Sequence, residues 1–208
     1  MKEIFRLDGP LMRFLNTLGD MITLSILWLV CSLPVVTMGA STVALYTISM
    51  EYSEEGSMLI RRFLKAFREN LLKGSLAGLL FLGIAVLLFF DFRIIEGMVQ
   101  GGGTLKIAAV IVAFICAMVC VYTFPLLAYY EQTLTQTMKN ALLIGLSNLP
   151  STALLLVIHG LPVAAAVVNP EMFVSWALPF LSFMGAGVIA LLSSRILKRV
   201  FAKYGTNT

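Results

Sequence analysis

The amino-acid sequence predicts an all-α protein, a polytopic transmembrane helical bundle. Three observations predict it. First, 59% of the 208 residues are hydrophobic and 12% are charged, with a mean hydropathy of +0.93. An ordinary globular chain is about 45–50% apolar and about 25% charged, so a water-exposed fold would have nowhere to put the surplus apolar surface. Second, the apolar residues form five runs, at about 18–50, 71–90, 105–128, 150–168 and 173–194. A bilayer crossing takes about 20 such residues. Third, Lys and Arg cluster beside these runs, as membrane-flanking residues do. The formal charge of +4 is therefore no nucleic-acid signal. The chain reads as a single helical membrane domain.

Residues 1–18 form an amphipathic lead-in, with Asp8-Gly9-Pro10 as a helix start and Leu11, Phe14, Leu15 and Leu18 on one face. The first run is too long for one straight crossing and short for two. Asn16, Asp20 and Thr23 recur at helical spacing and form a polar stripe entering the bilayer. Pro34 lacks a backbone donor and breaks the helix. The expected path is a helix, a break over 34–39 containing Thr37, and a shorter returning helix to about Tyr52. Gly39, Ala40, Ser41 and Ala44 allow another helix to approach closely. No cleaved leader is expected, because the run begins only at Met21.

A turn at Ser53-Glu-Glu-Gly56 precedes the most amphipathic stretch, at about 57–70. Ile60, Phe63, Leu64, Phe67 and Leu71 share one face, and Arg61, Arg62, Lys65 and Arg68 the other. Such a helix lies in the membrane interface, or docks on another protein. The run 71–90 carries Gly74 and Gly78, a GxxxG packing pattern, and is closed by Asp91, Arg93 and Glu96. Residues 101–103 are three glycines, read as a flexible loop. The run 105–128 ends at Tyr129 and Tyr130, with Pro125 in its last turn. Residues 133–149 are weakly amphipathic. The run 150–168 holds the only histidine, His159, and Pro162; Asn169-Pro170-Glu171 is a turn. In the run 173–194, Ser182, Ala186, Ala190 and Ser194 form a small-residue seam, followed by a basic tail of Arg195, Lys198, Arg199 and Lys203.

Charge counting selects the topology. With five crossings and a cytoplasmic C-terminus, Lys2, Arg6, Arg13, Arg93 and Lys106 lie outside against ten residues inside. If the first run enters and returns, only Arg93 and Lys106 lie outside against thirteen inside. The positive-inside bias favours the return, with both termini cytoplasmic in a multi-pass cell-membrane protein. The difficulty is length: residues 20–33 make roughly 21 Å of helix against a core of about 30 Å. A faint threefold repeat, around Arg13 to Asn16, Arg62 to Leu71 and Lys139 to Leu149, sets an interfacial stretch before each apolar pair.

Ionisable groups at membrane depth are the natural functional candidates, because each is costly there. Asp20 and His159 come near. Asp20 reads first as a capping or surface aspartate at the interface, and otherwise as a functional carboxylate. His159 reads as a proton relay or as a hydrogen bond to a neighbouring helix. Cys31, Cys116 and Cys120 lie inside apolar runs and read as packing thiols; no metal, cofactor or disulfide framework is expected. The sequence has no HExxH, GxSxG or P-loop pattern, so no enzyme is expected.

Leu7-Asp-Gly-Pro-Leu-Met-Arg-Phe-Leu-Asn16, Trp28, Ser32-Leu33-Pro34-Val35-Val36-Thr37, Gly39-Ala40-Ser41-Thr42 and the Phe63, Phe67, Asn70 spacing together resemble the YesL family of bacterial integral membrane proteins, a domain of unknown function. The resemblance is specific over the first 75 residues. It implies a multi-spanning helical protein. Because genes of the family often neighbour carbohydrate ABC-transporter and glycoside-hydrolase genes, it also implies an accessory or scaffold role in oligosaccharide uptake or utilisation. The partners so implied are the lipid bilayer and either ABC-transporter permease subunits or a second copy. The alternative is a small transporter or channel in its own right, built on the break at 34–39.

Overall fold

The computed structural model describes residues 10–52, 58–97 and 102–204. The start signal at Asp8, Lys2 and Arg6, the turn at 53–56 and Gly101 lie outside the described residues. Among the described residues all regular structure is helical. Helix α1 runs Pro10–Ser32, α2 Met38–Met50, α3 Leu59–Glu69, α4 Leu71–Glu96, α5 Gly102–Tyr129, α6 Leu134–Ser147 and α7 Leu149–Val168. The last run is segmented. It passes from α8 (Pro170–Met172) through a π-turn to α9 (Leu178–Phe180) and through a second π-turn to α10 (Ala186–Phe201). Among the described residues five helices are long and apolar enough to cross a membrane; α2, with its lead-in turn, is shorter.

The first run breaks where proline chemistry demands it. Pro34 is extended, at φ −74° and ψ 113°, and α1 stops at Ser32. A residue before proline is pushed out of the α region, so Leu33 cannot continue the helix. A short 3-10 turn, Val35–Thr37, then leads into α2. Three contacts pair α2 antiparallel with α1. Ser32 Oγ meets Ser41 Oγ at 2.5 Å, Trp28 Nε1 donates to Thr42 Oγ1 at 3.1 Å, and Tyr52 Oη donates to Asp20 Oδ2 at 2.9 Å. The returning hairpin is therefore present.

Helix α2 is short and the most enclosed of the described helices: ten of its 13 residues are buried. It touches α1, α3, α4, α5 and α10. Its crossing with α4 is a contact of backbones. A Cβ on Gly39 would overlap the Gly74 carbonyl oxygen and come within 2.8 Å of Gly78 N. The two small-residue signals, Gly39 and the GxxxG pair, are thus the two halves of one seam. Gly187 likewise lets α10 reach α1, its N–H donating to Ser25 Oγ at 2.8 Å. In lipid such close approach matters because helix association rests on van der Waals contact and hydrogen bonds.

This seam also fixes how deep the hairpin goes. Gly78 is the eighth residue of the 26-residue α4. The turn at Pro34 packs on α4 near that level. Eighteen further residues of α4, about 27 Å at 1.5 Å per residue, continue past it. Between 79 and 94 of α4, and between 103 and 117 of α5, no residue is buried. Helices α4 and α5 pack on each other, and their outer halves contribute no buried residue to the bundle.

Several expectations are corrected. The lead-in is not separate: α1 is continuous from Pro10, roughly 34 Å long, so it is α2 and not the first helix that is too short to cross. Gly102 and Gly103 open α5 instead of forming a loop. Half of the apolar face of α3 is taken by protein, with Phe63 and Ala66 buried, while Ile60 and Leu64 remain exposed. In the last run the buried line is Gly187, Ala190, Ser194 and Leu197; Ser182 and Ala186 are half-buried. The threefold repeat reduces to two. Asn70 and Asn148 each stand between a short helix and a long one, and each side-chain amide donates to the carbonyl four residues back, at 3.0 and 3.1 Å. Asn16 lies inside the uninterrupted α1.

Candidate functional site

A polar contact inside the bundle joins α2 and α7. Tyr46, fully inside the core of α2, places its hydroxyl 2.8 Å from His159 Nε2. The other ring nitrogen, Nδ1, is 2.8 Å from the Leu155 carbonyl. A carbonyl only accepts, so Nδ1 carries the proton and Nε2 accepts from Tyr46 in the neutral ring. Both nitrogens are satisfied, which is the condition for holding an imidazole at this depth. Ser193 Oγ of α10 is buried beside the same phenol, outside hydrogen-bonding geometry. The pair braces α2 to α7. On its outer side His159 borders an apolar cleft of about 630 Å³ between α5 and α7, lined also by Ala117, Cys120, Gly160, Val163 and Ala164.

The break itself is closed. Thr37 Oγ1 lies 2.7 Å from the Cys31 carbonyl, covering an acceptor at the end of the interrupted helix, and 2.9 Å from the Pro34 carbonyl, which also accepts from the Thr37 N–H at 2.9 Å. Pro34 is exposed on the outside of the turn, with Leu33, Val35, Val36 and Met38. Behind it Gly39 seals directly onto α4. Non-helical backbone at membrane depth has to be satisfied locally in this way or line a cavity.

A polar cleft of about 660 Å³ opens at one end of the bundle, where α2 and α5 finish and α4 starts. Glu51, Glu69, Lys73, Tyr130, Glu131 and Gln132 line it. Arg62 pairs with Glu51 at 2.6 Å at this same end. Tyr130 packs on Phe201, which brings the basic tail of α10 here too. Arg61, Lys65 and Arg68 point outward from α3 and are exposed.

The candidate residues therefore do not converge. Asp20 meets Tyr52 near the basic end, His159 sits mid-bundle, and Thr37 and Gly39 close the break. Asn16 is exposed on α1. Five contributing residues were not foreseen: Tyr46, the Tyr122 and Thr152 hydroxyl pair at 3.0 Å, Asn148, and Tyr204, whose hydroxyl accepts from Asn148 at 2.8 Å. Asn70 and Asn148 carry the legible signal, an asparagine at the junction of a weak and a strong apolar stretch.

A family model described as "Protein of unknown function, DUF624" matches residues 21–92. The curated "Uncharacterized protein YesL" of Bacillus subtilis (strain 168) is 25% identical over 183 residues, covering 86% of this chain and 83% of the relative. Together the two matches support an assignment to the YesL family. The stretch matched by the family model holds the break, the Gly39 seam and the basic row of α3, and it leaves out Asn16, Asp20 and His159. No solved structure matches the chain.

Proposed function

We propose that the protein is an accessory or scaffold subunit of a carbohydrate uptake or utilisation system in the cell membrane, and that it is not an enzyme. The observation that carries this reading is the unequal use of helix surface. The bundle is sealed by backbone contact at Gly39, while residues 79–94 of α4 include no buried residue. A lateral surface of this kind suits docking onto a permease subunit or onto a second copy. The carbohydrate assignment rests on the family and on the expectation attached to it. The basic end, with Arg61, Lys65, Arg68, Lys73 and the α10 tail, is read as cytoplasmic by the positive-inside bias.

The test is mild solubilisation of the tagged full chain from its host and identification of what elutes with it. A sugar-permease subunit in near-stoichiometric amount is expected; repeated isolation alone would count against the reading. Tags at both ends and between α4 and α5 test the orientation: both ends should be cytoplasmic and the α4–α5 connection outside. The half-depth break favours a second reading as a small transporter or channel. Proteoliposomes holding only this chain should show no sugar or ion flux if the scaffold reading is right.

A further inference from the structure

Helix α3 carries three different surfaces, and only one of them is used inside the protein. Phe63 and Ala66 face the core. Arg62 turns to Glu51 at 2.6 Å. At 100° per residue, Ile60 and Leu64 fall beside the core face, and Arg61, Lys65 and Arg68 fall beyond them. Ile60 is 54% exposed, Leu64 37% and Met58 65%. An open cleft of about 770 Å³ runs along this outer side, between the apolar pair and the basic row. Glu69 closes one end of it, 3.9 Å from Lys65 in an exposed pair of little strength.

We propose that this outer side of α3 is a docking surface for anionic phospholipid, with headgroup phosphates on Arg61, Lys65 and Arg68 and acyl chains along Ile60 and Leu64. Three observations commit the surface to lipid. The order core, apolar, basic around the helix matches protein, hydrocarbon and headgroup meeting at an interface, where long basic side chains reach up from an apolar bed. The apolar flank is continuous with the exposed Leu71 and Leu72 at the start of the spanning α4. The row bears three positive groups against one carboxylate, which complements an anionic headgroup. This inference rests on membrane residence alone and stands whether or not the chain serves sugar uptake.

The surface is tested on the purified full chain in neutral detergent, titrated with phosphatidylglycerol or phosphatidylcholine and read by native mass spectrometry. Each basic group near an anionic surface is worth about fivefold, so a preference for phosphatidylglycerol on the order of tenfold to a hundredfold is expected at low salt. The R61Q/K65Q/R68Q variant should lose it. R195Q/K198Q/R199Q, which removes equal charge from α10, should keep it, and so should the charge-preserving R61K/R68K. Equal affinity for the two lipids, retention by the first variant, or equal loss in the α10 variant would overturn the proposal. Displacement of phosphatidylglycerol by millimolar inorganic phosphate would also overturn it, because the acyl contacts would then add nothing. Cross-links from position 61 in native membranes that reach a protein and no lipid would assign the surface to a protein partner instead.

Discussion

Two hairpins in this molecule are made of similar amino acids and used in opposite ways. The α1 and α2 hairpin carries Ser25, Ser41 and Ser49 in buried positions, and its returning helix α2 has ten of 13 residues buried. The outer α4 and α5 hairpin is long, uniformly apolar and bare. The difference lies in side-chain size and not in hydrophobicity. Glycine, alanine and serine let backbones meet and let hydroxyls find carbonyls; Leu, Phe and Ile hold neighbours at arm's length and suit lipid contact.

The sharpest way to break this contrast is to place the same substitution in both hairpins. Gly39→Leu forces a side chain into the backbone of α4 and should cost more than about 3 kcal/mol, read as loss of a monodisperse, thermally stable species in detergent. Gly83→Leu, at a position with nothing within 4 Å of a new Cβ, should change stability by less than about 0.5 kcal/mol. Equal sensitivity would mean that the outer hairpin is packed against something in the cell.

Next in size is Tyr46→Phe, which strands His159 Nε2. Interhelical hydrogen bonds in bilayers contribute about 0.6–1.7 kcal/mol, and a drop of that order in unfolding free energy is expected. His159→Gln should keep normal protein levels and any phenotype. Loss of a pH-dependent transport activity at unchanged protein level would make the pair a relay instead of a brace. Thr37→Val removes the hydroxyl that covers the Cys31 carbonyl at the break and should cost about 1 kcal/mol, seen as a lower melting temperature. The smallest stability effect belongs to Leu87→Ala on the outer hairpin, 66% exposed, which should stay within about 0.5 kcal/mol. If that face docks a partner, the same variant should still reduce what co-purifies.

Local signals were readable from the residues and long-range pairings were not. Pro34 breaks its own helix, so the returning hairpin could be anticipated, as could the amphipathic α3 and the end of α4 near its charged residues. Gly39 and Gly74 each announce a close approach, but neither names the other, because small residues specify a distance and not a partner. The burial of half of α3 follows from where α1 and α2 lie, which periodicity cannot report. His159 was visible as an isolated polar group at depth. Its partner Tyr46 lay hidden in a run where an aromatic residue is ordinary core material. The glycines at 102 and 103 form helix because the apolar segment that follows carries them along, against their own preference.

The enclosure of α2 has a consequence for biosynthesis. Its walls include α10, which begins 136 residues after Met50 (186 − 50). At roughly 5–20 residues per second, the ribosome needs on the order of ten seconds to supply that wall. Until then a short segment carrying Ser41 and Ser49 has to wait half-housed, shielded by α1 or by the insertion machinery. A nascent chain arrested before α10 should therefore be open to proteases at α2 and become resistant once the last helix arrives.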